Sequence, residues 1–167
     1  MRHHIRPFVA RHEPGGRFLS HVKSGSGAMI GMSAVGGLSV VTGLPLLIAP
    51  FGATAVLLFG QPTSPLAQPA NIFGGYLIAT AIAICTVAVF PGAWWAATIA
   101  VGLAIATMLV LRVTHPPAGA IPLVASASPL QGGSLLAVVF FGSVSLVALA
   151  FLHHRIPPQQ EYPRRVE

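Results

Sequence analysis

Between Ser24 and Leu152 the sequence carries a single formal charge, Arg112. A soluble domain covers its surface with charge, about a quarter of its residues, and this stretch has none to spare. Over the whole chain 7% of residues are charged and 54% are hydrophobic. Arg2, Arg6, Arg11, Arg17 and Lys23 precede the uncharged stretch, and Arg155, Arg164 and Arg165 follow it. The acids Glu13, Glu161 and Glu167 lie in the same flanks. A hydrocarbon solvent selects such a distribution. The chain reads as an all-α, polytopic membrane bundle, with a basic N-terminal segment 1–23, a transmembrane domain 24–152 and a basic tail 153–167.

The formal net charge of +6 could suggest nucleic acid as a partner. That reading fails because the basic residues sit in short tails, with no folded basic face carrying interleaved aromatics. They fit better as membrane-flanking charges held near anionic headgroups on the cytoplasmic side. Cys85 stands alone in an apolar run, so it forms no internal disulfide and reads as a packing residue. No apolar core follows the early charges before position 28, as a signal peptide would require. Pro7, Pro14, Gly15 and Gly16 interrupt the amphipathic helix of a transit peptide.

A crossing needs about 20 apolar residues, and stretches near Ala28–Ala49, Asn71–Phe90, Ala93–Leu111 and Gly132–Leu152 supply them. Between them lie two shorter apolar pieces introduced by proline, 51–60 after Pro50 and 115–125. A ten-residue helix covers only about half the hydrocarbon core at ~1.5 Å per residue. Both pieces are expected to be half-membrane or re-entrant helices. Each has proline, then small residues (Gly52, Ala53, Thr54 against Ala118, Gly119, Ala120), then aliphatics. The chain thus divides near Pro91 and Gly92 into two halves of the same order, the pattern of transporters whose site lies at a repeat interface. Coincidence between two Pro/Gly/Ala-rich loops is the competing account.

Basic tails at both ends predict that both face the cytoplasm, which requires an even number of crossings. Four crossings with two re-entrant pieces satisfy this, as do six, and Arg112 changes side between them. Gly27 and Gly31 form a GxxxG, continued by Gly36, Gly37, Gly74, Gly75, Ala100, Gly102 and Ala104. Small residues mark helix contacts in lipid. Four short spans leave little room for an internal pathway, so a homo-oligomer is expected.

The most specific local signal is 112–120, Arg-Val-Thr-His-Pro-Pro-Ala-Gly-Ala. Pro116 and Pro117 suit a helix's first turn. A helix starting there would aim the N–H groups of Ala118, Gly119 and Ala120 beyond its end, where dipole and donors favour an anion. Pro50 with Gly52, Ala53 and Thr54 offers the same on the other half. His115 beside these ends completes the candidate substrate site, with Arg112 as an electrostatic contributor. The plainer alternatives are that Arg112 snorkels to headgroups and that His115 caps a neighbouring loop. Asn71 is either a ligand contact or the N-cap of its helix. Trp94 and Trp95 read as interface anchors, and His153 and His154 as a basic helix end. A zinc site among His3, His4, His12 and His21 lacks acidic or Cys partners. No nucleophile motif, phosphate loop or dinucleotide fingerprint is present, so neither an enzyme nor a cofactor is expected. The absence of membrane carboxylates disfavours cation pumping and leaves a small anion or an uncharged solute. For proton coupling, His115 is the group with a suitable unperturbed pKa.

PFGATAVLLFG (50–60), SPLAQP (64–69) with Asn71 and Gly74-Gly75, and THPPAGA (114–120) together resemble the HPP family of integral membrane proteins, over roughly 24–152. The resemblance implies four spans. Plant chloroplast and cyanobacterial members have been implicated in nitrite transport, so it also implies nitrite as the anion. In that family His often follows the paired glycines, whereas Tyr76 stands here, which implies a different substrate preference if that His shapes the site. The expected location is a bacterial inner membrane, the bilayer and the anion being the partners. A carrier or channel for another small solute and a non-transporting scaffold remain the alternatives.

Overall fold

The computed structural model describes residue 10 and residues 15–165. Most of the basic N-terminal segment, including His3, His4, Pro7, His12 and Pro14, lies outside the described residues. Those described form an all-helical bundle without strands. The six α-helices are α1 (Phe18–Thr42), α2 (Ala49–Ala55), α3 (Pro69–Val89), α4 (Trp94–Val110), α5 (Ile121–Ala127) and α6 (Gly132–His153). Helices α1, α3 and α6 are long and apolar enough to cross a membrane. Helix α4, with 17 residues, sits at the short end of what spans a bilayer, about 17–25 residues.

The first span is displaced from its expected 28–49. It starts at Phe18, because Lys23 is accommodated at the helix's polar end, where its ammonium donates to the carbonyls of Ile156 and Pro158. It stops at Thr42, because Gly43 takes a left-handed φ of 69° and its N–H caps Ser39 O at 3.0 Å. Glycine adopts that conformation without the Cβ penalty other residues carry. The Ser39 hydroxyl then donates to Leu44 O and accepts from Leu46 N–H, steering an extended link into α2.

The two short apolar pieces are short helices, and neither is regular. Helix α2 has Pro50 in its first turn and widens into a π-helical turn, Val56–Gly60. The second piece opens as a 3-10 helix, Pro116–Ala120, and becomes α-helical only at α5. Prolines at both starts cannot donate to a preceding turn, which sets the entry points. A further 3-10 turn, Pro65–Ala67, leads into α3. The element order is therefore long, short-irregular, long, given twice.

Helix α3 packs on α4 and α5, while α1 packs on α6, with the short irregular pieces between them. Small residues create the close approaches. A Cβ on Gly142 would stand 2.1 Å from the Phe51 ring, and one on Gly27 would stand 2.6 Å from His153 Nε2. Gly31 meets Phe59 and Leu146. The Gly27/Gly31 pair is thus spent on contacts within the chain. Outer faces carry Met29, Val40, Leu77, Leu103 and Phe140 exposed, as suits a surface solvated by lipid tails. Cys85 is exposed too, on an outward face of α3 and not in the packing role its apolar run suggested. Trp94 and Trp95 are exposed at the start of α4.

The tail folds back on the bundle. Buried Tyr162 donates its O–H to Ala67 O at 3.1 Å, and Arg164 N–H donates to Gln68 Oε1 at 2.8 Å. His154 is 2% exposed, and its Nε2–H donates to Leu58 O in the π-helical turn at 2.8 Å. It is more than a basic helix end: it fixes a carbonyl that the irregular turn presents.

Candidate functional site

His115 sits at the N-cap of the Pro116–Ala120 3-10 helix and is fully buried, as is Thr54 on α2. Tyr76 on α3 is 1% exposed. Thr54 Oγ1 lies 2.9 Å from His115 Nε2 and 2.7 Å from Tyr76 OH. On its other side His115 Nδ1 lies 2.8 Å from Leu66 O in the Pro65–Ala67 turn. The Tyr76 ring meets the imidazole edge-on at 5.1 Å and Phe51 at 5.6 Å.

The hydrogen-bond directions follow from the acceptor at one end, which assigns the tautomer by pattern. A carbonyl only accepts, so Nδ1 of His115 carries the hydrogen. In a neutral imidazole Nε2 is then a lone pair, and the Thr54 O–H donates to it. Thr54 has one hydrogen, so the Tyr76 O–H donates to Thr54 Oγ1. The chain Tyr76 → Thr54 → His115 → Leu66 O runs one way, and every donor in it is used. Its remaining capacity consists of acceptor lone pairs, which do not attract an anion.

Close backbone approach makes this arrangement possible. A Cβ on Gly75 would stand 2.7 Å from His115 Cβ, and one on Gly74 would stand 2.9 Å from Val113 Cβ. The paired glycines let the 113–115 segment lie directly on α3. Asn71 secures the same segment: its Nδ2 donates to Thr114 O at 3.0 Å. It is not the N-cap of its helix, a position taken by Gln68; two residues into the helix, its amide instead faces that neighbouring segment. Just before the segment Arg112 is exposed, with φ 58°.

The remaining candidates from the sequence divide by direction. Ala118 and Gly119 are buried in the bundle. Ala53, Pro116, Pro117 and Ala120, together with Pro50 and Leu57, line an apolar groove of about 560 Å3 between the two irregular pieces. Gly52 is half-buried beside it. The amide of Ala118 is not free: it donates to His115 O at 3.0 Å. A 3-10 turn consumes its amides one residue sooner than an α-helix, so the free N–H cluster expected over 118–120 is smaller than an α-helical start would give. Thr54 and His115 thus meet each other, and Asn71 on α3 holds the residue before His115, whereas Ala53, Pro116 and Ala120 face the groove and Arg112 is exposed.

Tyr76 and the Leu66 carbonyl were not among the candidate residues. For Tyr76 a signal existed, its place directly after Gly74-Gly75, but nothing in the sequence pairs it with Thr54. Among the described residues no group of three His, Cys, Asp or Glu could hold a metal ion.

The family model described as "HPP, transmembrane region" matches residues 13–163, past both ends of the 24–152 block. A Dictyostelium discoideum protein named only as a transmembrane protein is 36% identical over 125 residues, 70% of this chain and 40% of its own length. A second transmembrane protein of that organism is 38% identical over 85 residues, 48% of this chain and 30% of its own. The chain therefore spans less than half the length of either relative. No solved structure matches.

Proposed function

The chain belongs to the HPP transmembrane family, and from that premise we propose that it moves a small inorganic anion, nitrite foremost, along the seam between its two irregular helices. The observation that carries this reading is the Thr54–His115 hydrogen bond of 2.9 Å, which ties the two broken elements together inside a membrane domain. Broken helices meeting within a bilayer mark the solute site of many transporters. Irregular backbone at membrane depth is tolerated where protein covers it or where it lines a cavity. A buried histidine in that setting is a functional group by default. The neutral-to-positive membrane region, with Arg112 and no carboxylate between Ser24 and Leu152, favours an anion over a cation.

This reading is of a transporter and not of an enzyme. It places the chain in a cell membrane with both tails cytoplasmic, and it makes a second copy the partner that covers the open groove beside Ala53 and Pro116. A structural reading has its own support: the Tyr76–Thr54–His115 chain has no unused donor, as a purely architectural joint would have. That reading makes the protein a scaffold.

Uptake of nitrite into liposomes carrying the purified protein, against His115→Ala and empty liposomes, separates these readings. Uptake that is lost in the variant supports the function and the site. Uptake that survives the substitution keeps nitrite but removes His115 from the path. Competition by other small solutes identifies a different cargo. Absence of uptake from folded protein favours the scaffold.

A further inference from the structure

The one-way hydrogen-bond chain has a definite response to one added proton. We propose that protonation of His115 is what creates the anion site, so that anion and proton cross together. This rests on the anion-transport reading above and supplies its coupling ion.

The proton adds to the Nε2 lone pair of His115, the atom that now accepts from Thr54 at 2.9 Å. Nε2–H then donates to Thr54 Oγ1, and the Thr54 hydroxyl loses its acceptor. That hydroxyl turns to the oxygen 2.7 Å away on its other side, Tyr76 OH. The phenol now accepts where it donated, and its O–H keeps its hydrogen but no longer has an acceptor. Nδ1–H keeps its bond to Leu66 O throughout. One proton taken up therefore reverses two hydrogen bonds, leaves one positive charge on the imidazole and frees one O–H donor on Tyr76. No covalent bond other than N–H forms, and none breaks. A closed chain with only acceptor capacity becomes a cation with a free donor, the two things a small anion such as nitrite binds.

The surroundings make the coupling obligatory. The groups facing His115 are Thr54 on α2, Leu66 O in the 3-10 turn, and Gly75 and Tyr76 on α3. Tyr76 is the titratable one among them. Arg112 is exposed three residues before His115, and Tyr162 reaches the Pro65–Ala67 turn from the tail at Ala67. No carboxylate lies between Ser24 and Leu152 to neutralise an imidazolium. A charge in such a dry place is unfavourable without a counter-charge. The anion is that counter-charge, so neither ion is held well without the other.

Two measurements test this. In proteoliposomes clamped at zero membrane potential, labelled nitrite uptake and internal acidification are followed together, with the empty-liposome rates subtracted. The expected result is uptake that accelerates as the outside is acidified, with one proton entering per nitrite. Uptake that is indifferent to pH, or that moves charge without protons, overturns the proposal while leaving nitrite transport standing. The second measurement does not depend on transport. With 15N-labelled histidine, the His115 ring nitrogens, assigned by comparison with His115→Gln, are followed by NMR as nitrite, nitrate or formate is added at constant pH. The expected result is a shift from neutral to doubly protonated imidazole, at least tenfold weaker in apparent affinity in Tyr76→Phe, which lacks the freed donor. A His115 that stays neutral with every one of these anions overturns the proposal, whatever the uptake assay shows. A wild-type response without uptake instead keeps the site and removes transport.

Discussion

Thr54 and His115 lie 61 positions apart in the chain, yet Oγ1 and Nε2 are 2.9 Å apart with both side chains fully buried. Thr54 belongs to the first irregular piece and His115 opens the second, so this hydrogen bond ties the two irregular pieces directly to each other. Tyr76 completes it from α3.

Thr54→Val keeps the shape of the side chain and removes the hydroxyl that both neighbours use. It leaves the Tyr76 O–H and the His115 Nε2 buried without partners, at about 1–3 kcal/mol for each unsatisfied group. The expected outcome is a clear loss of thermal stability in detergent together with loss of any anion uptake. Thr54→Ser, which keeps the oxygen, is expected to retain most of both. Equal behaviour of the two variants would mean the hydroxyl is not the link.

Gly75→Ala places a Cβ 2.7 Å from His115 Cβ, backbone-anchored atoms that cannot swing aside. Overpacking of this kind costs about 1–3 kcal/mol, and here it moves the imidazole away from Thr54. Gly102→Ala meets open space in the middle of α4 and should be neutral or slightly stabilising, because alanine is the better helix former by about 1 kcal/mol. Unfolding midpoints of the two variants, measured side by side, check the contrast.

Arg112 holds a left-handed φ of 58°, which costs a residue with a Cβ about 1–2 kcal/mol. Arg112→Gly should therefore fold at least as stably as the wild type, and Arg112→Val should be worse than either. Because Arg112 is exposed and makes no contact with the buried Thr54–His115 pair in the hydrogen bonds described, the proposed nitrite uptake should survive Arg112→Gly. A large loss of uptake in a stable Arg112→Gly protein would restore the electrostatic role suggested by its position in the sequence.

Tyr162 lies outside the spans, and burial pushes its hydroxyl above the usual tyrosine value. The folded state thus holds this proton more tightly than the unfolded chain does. Its contribution is fully present below about pH 10, the ordinary value, and is lost as pH rises beyond it, because there the unfolded state binds fewer protons. Tyr162→Phe removes the bond to Ala67 O, at about 0.5–1.5 kcal/mol, and should flatten the alkaline limb of the stability curve. Unfolding followed from pH 8 to about 11.5, across the ordinary tyrosine pKa, shows whether the two proteins converge at high pH.

The order of residues along the chain is enough to set the solvent and the element order. Restricting charge to Arg112 between Ser24 and Leu152 requires a bilayer, and run lengths separate long helices from the short pieces at Pro50 and Pro116, because spanning is a matter of length and hydropathy along the chain. It also marked His115, Thr54 and Asn71 as residues of interest. It could not say that Thr54 meets His115 and Tyr76, that Leu66 supplies a carbonyl to Nδ1, or that the first long helix begins at Phe18 with Lys23 tied to the tail. Nor could it say that His154 is packed against the π-helical turn, or that Cys85 points outward. A helix that is apolar all round gives no periodic sign of which face it buries, since lipid and protein interior accept the same side chains. Facing in this protein is decided by where small residues permit backbones to touch, at Gly74, Gly75 and Gly142, and by which buried polar atoms must find each other across the bundle. Those are three-dimensional conditions, and only the packed structure satisfies them.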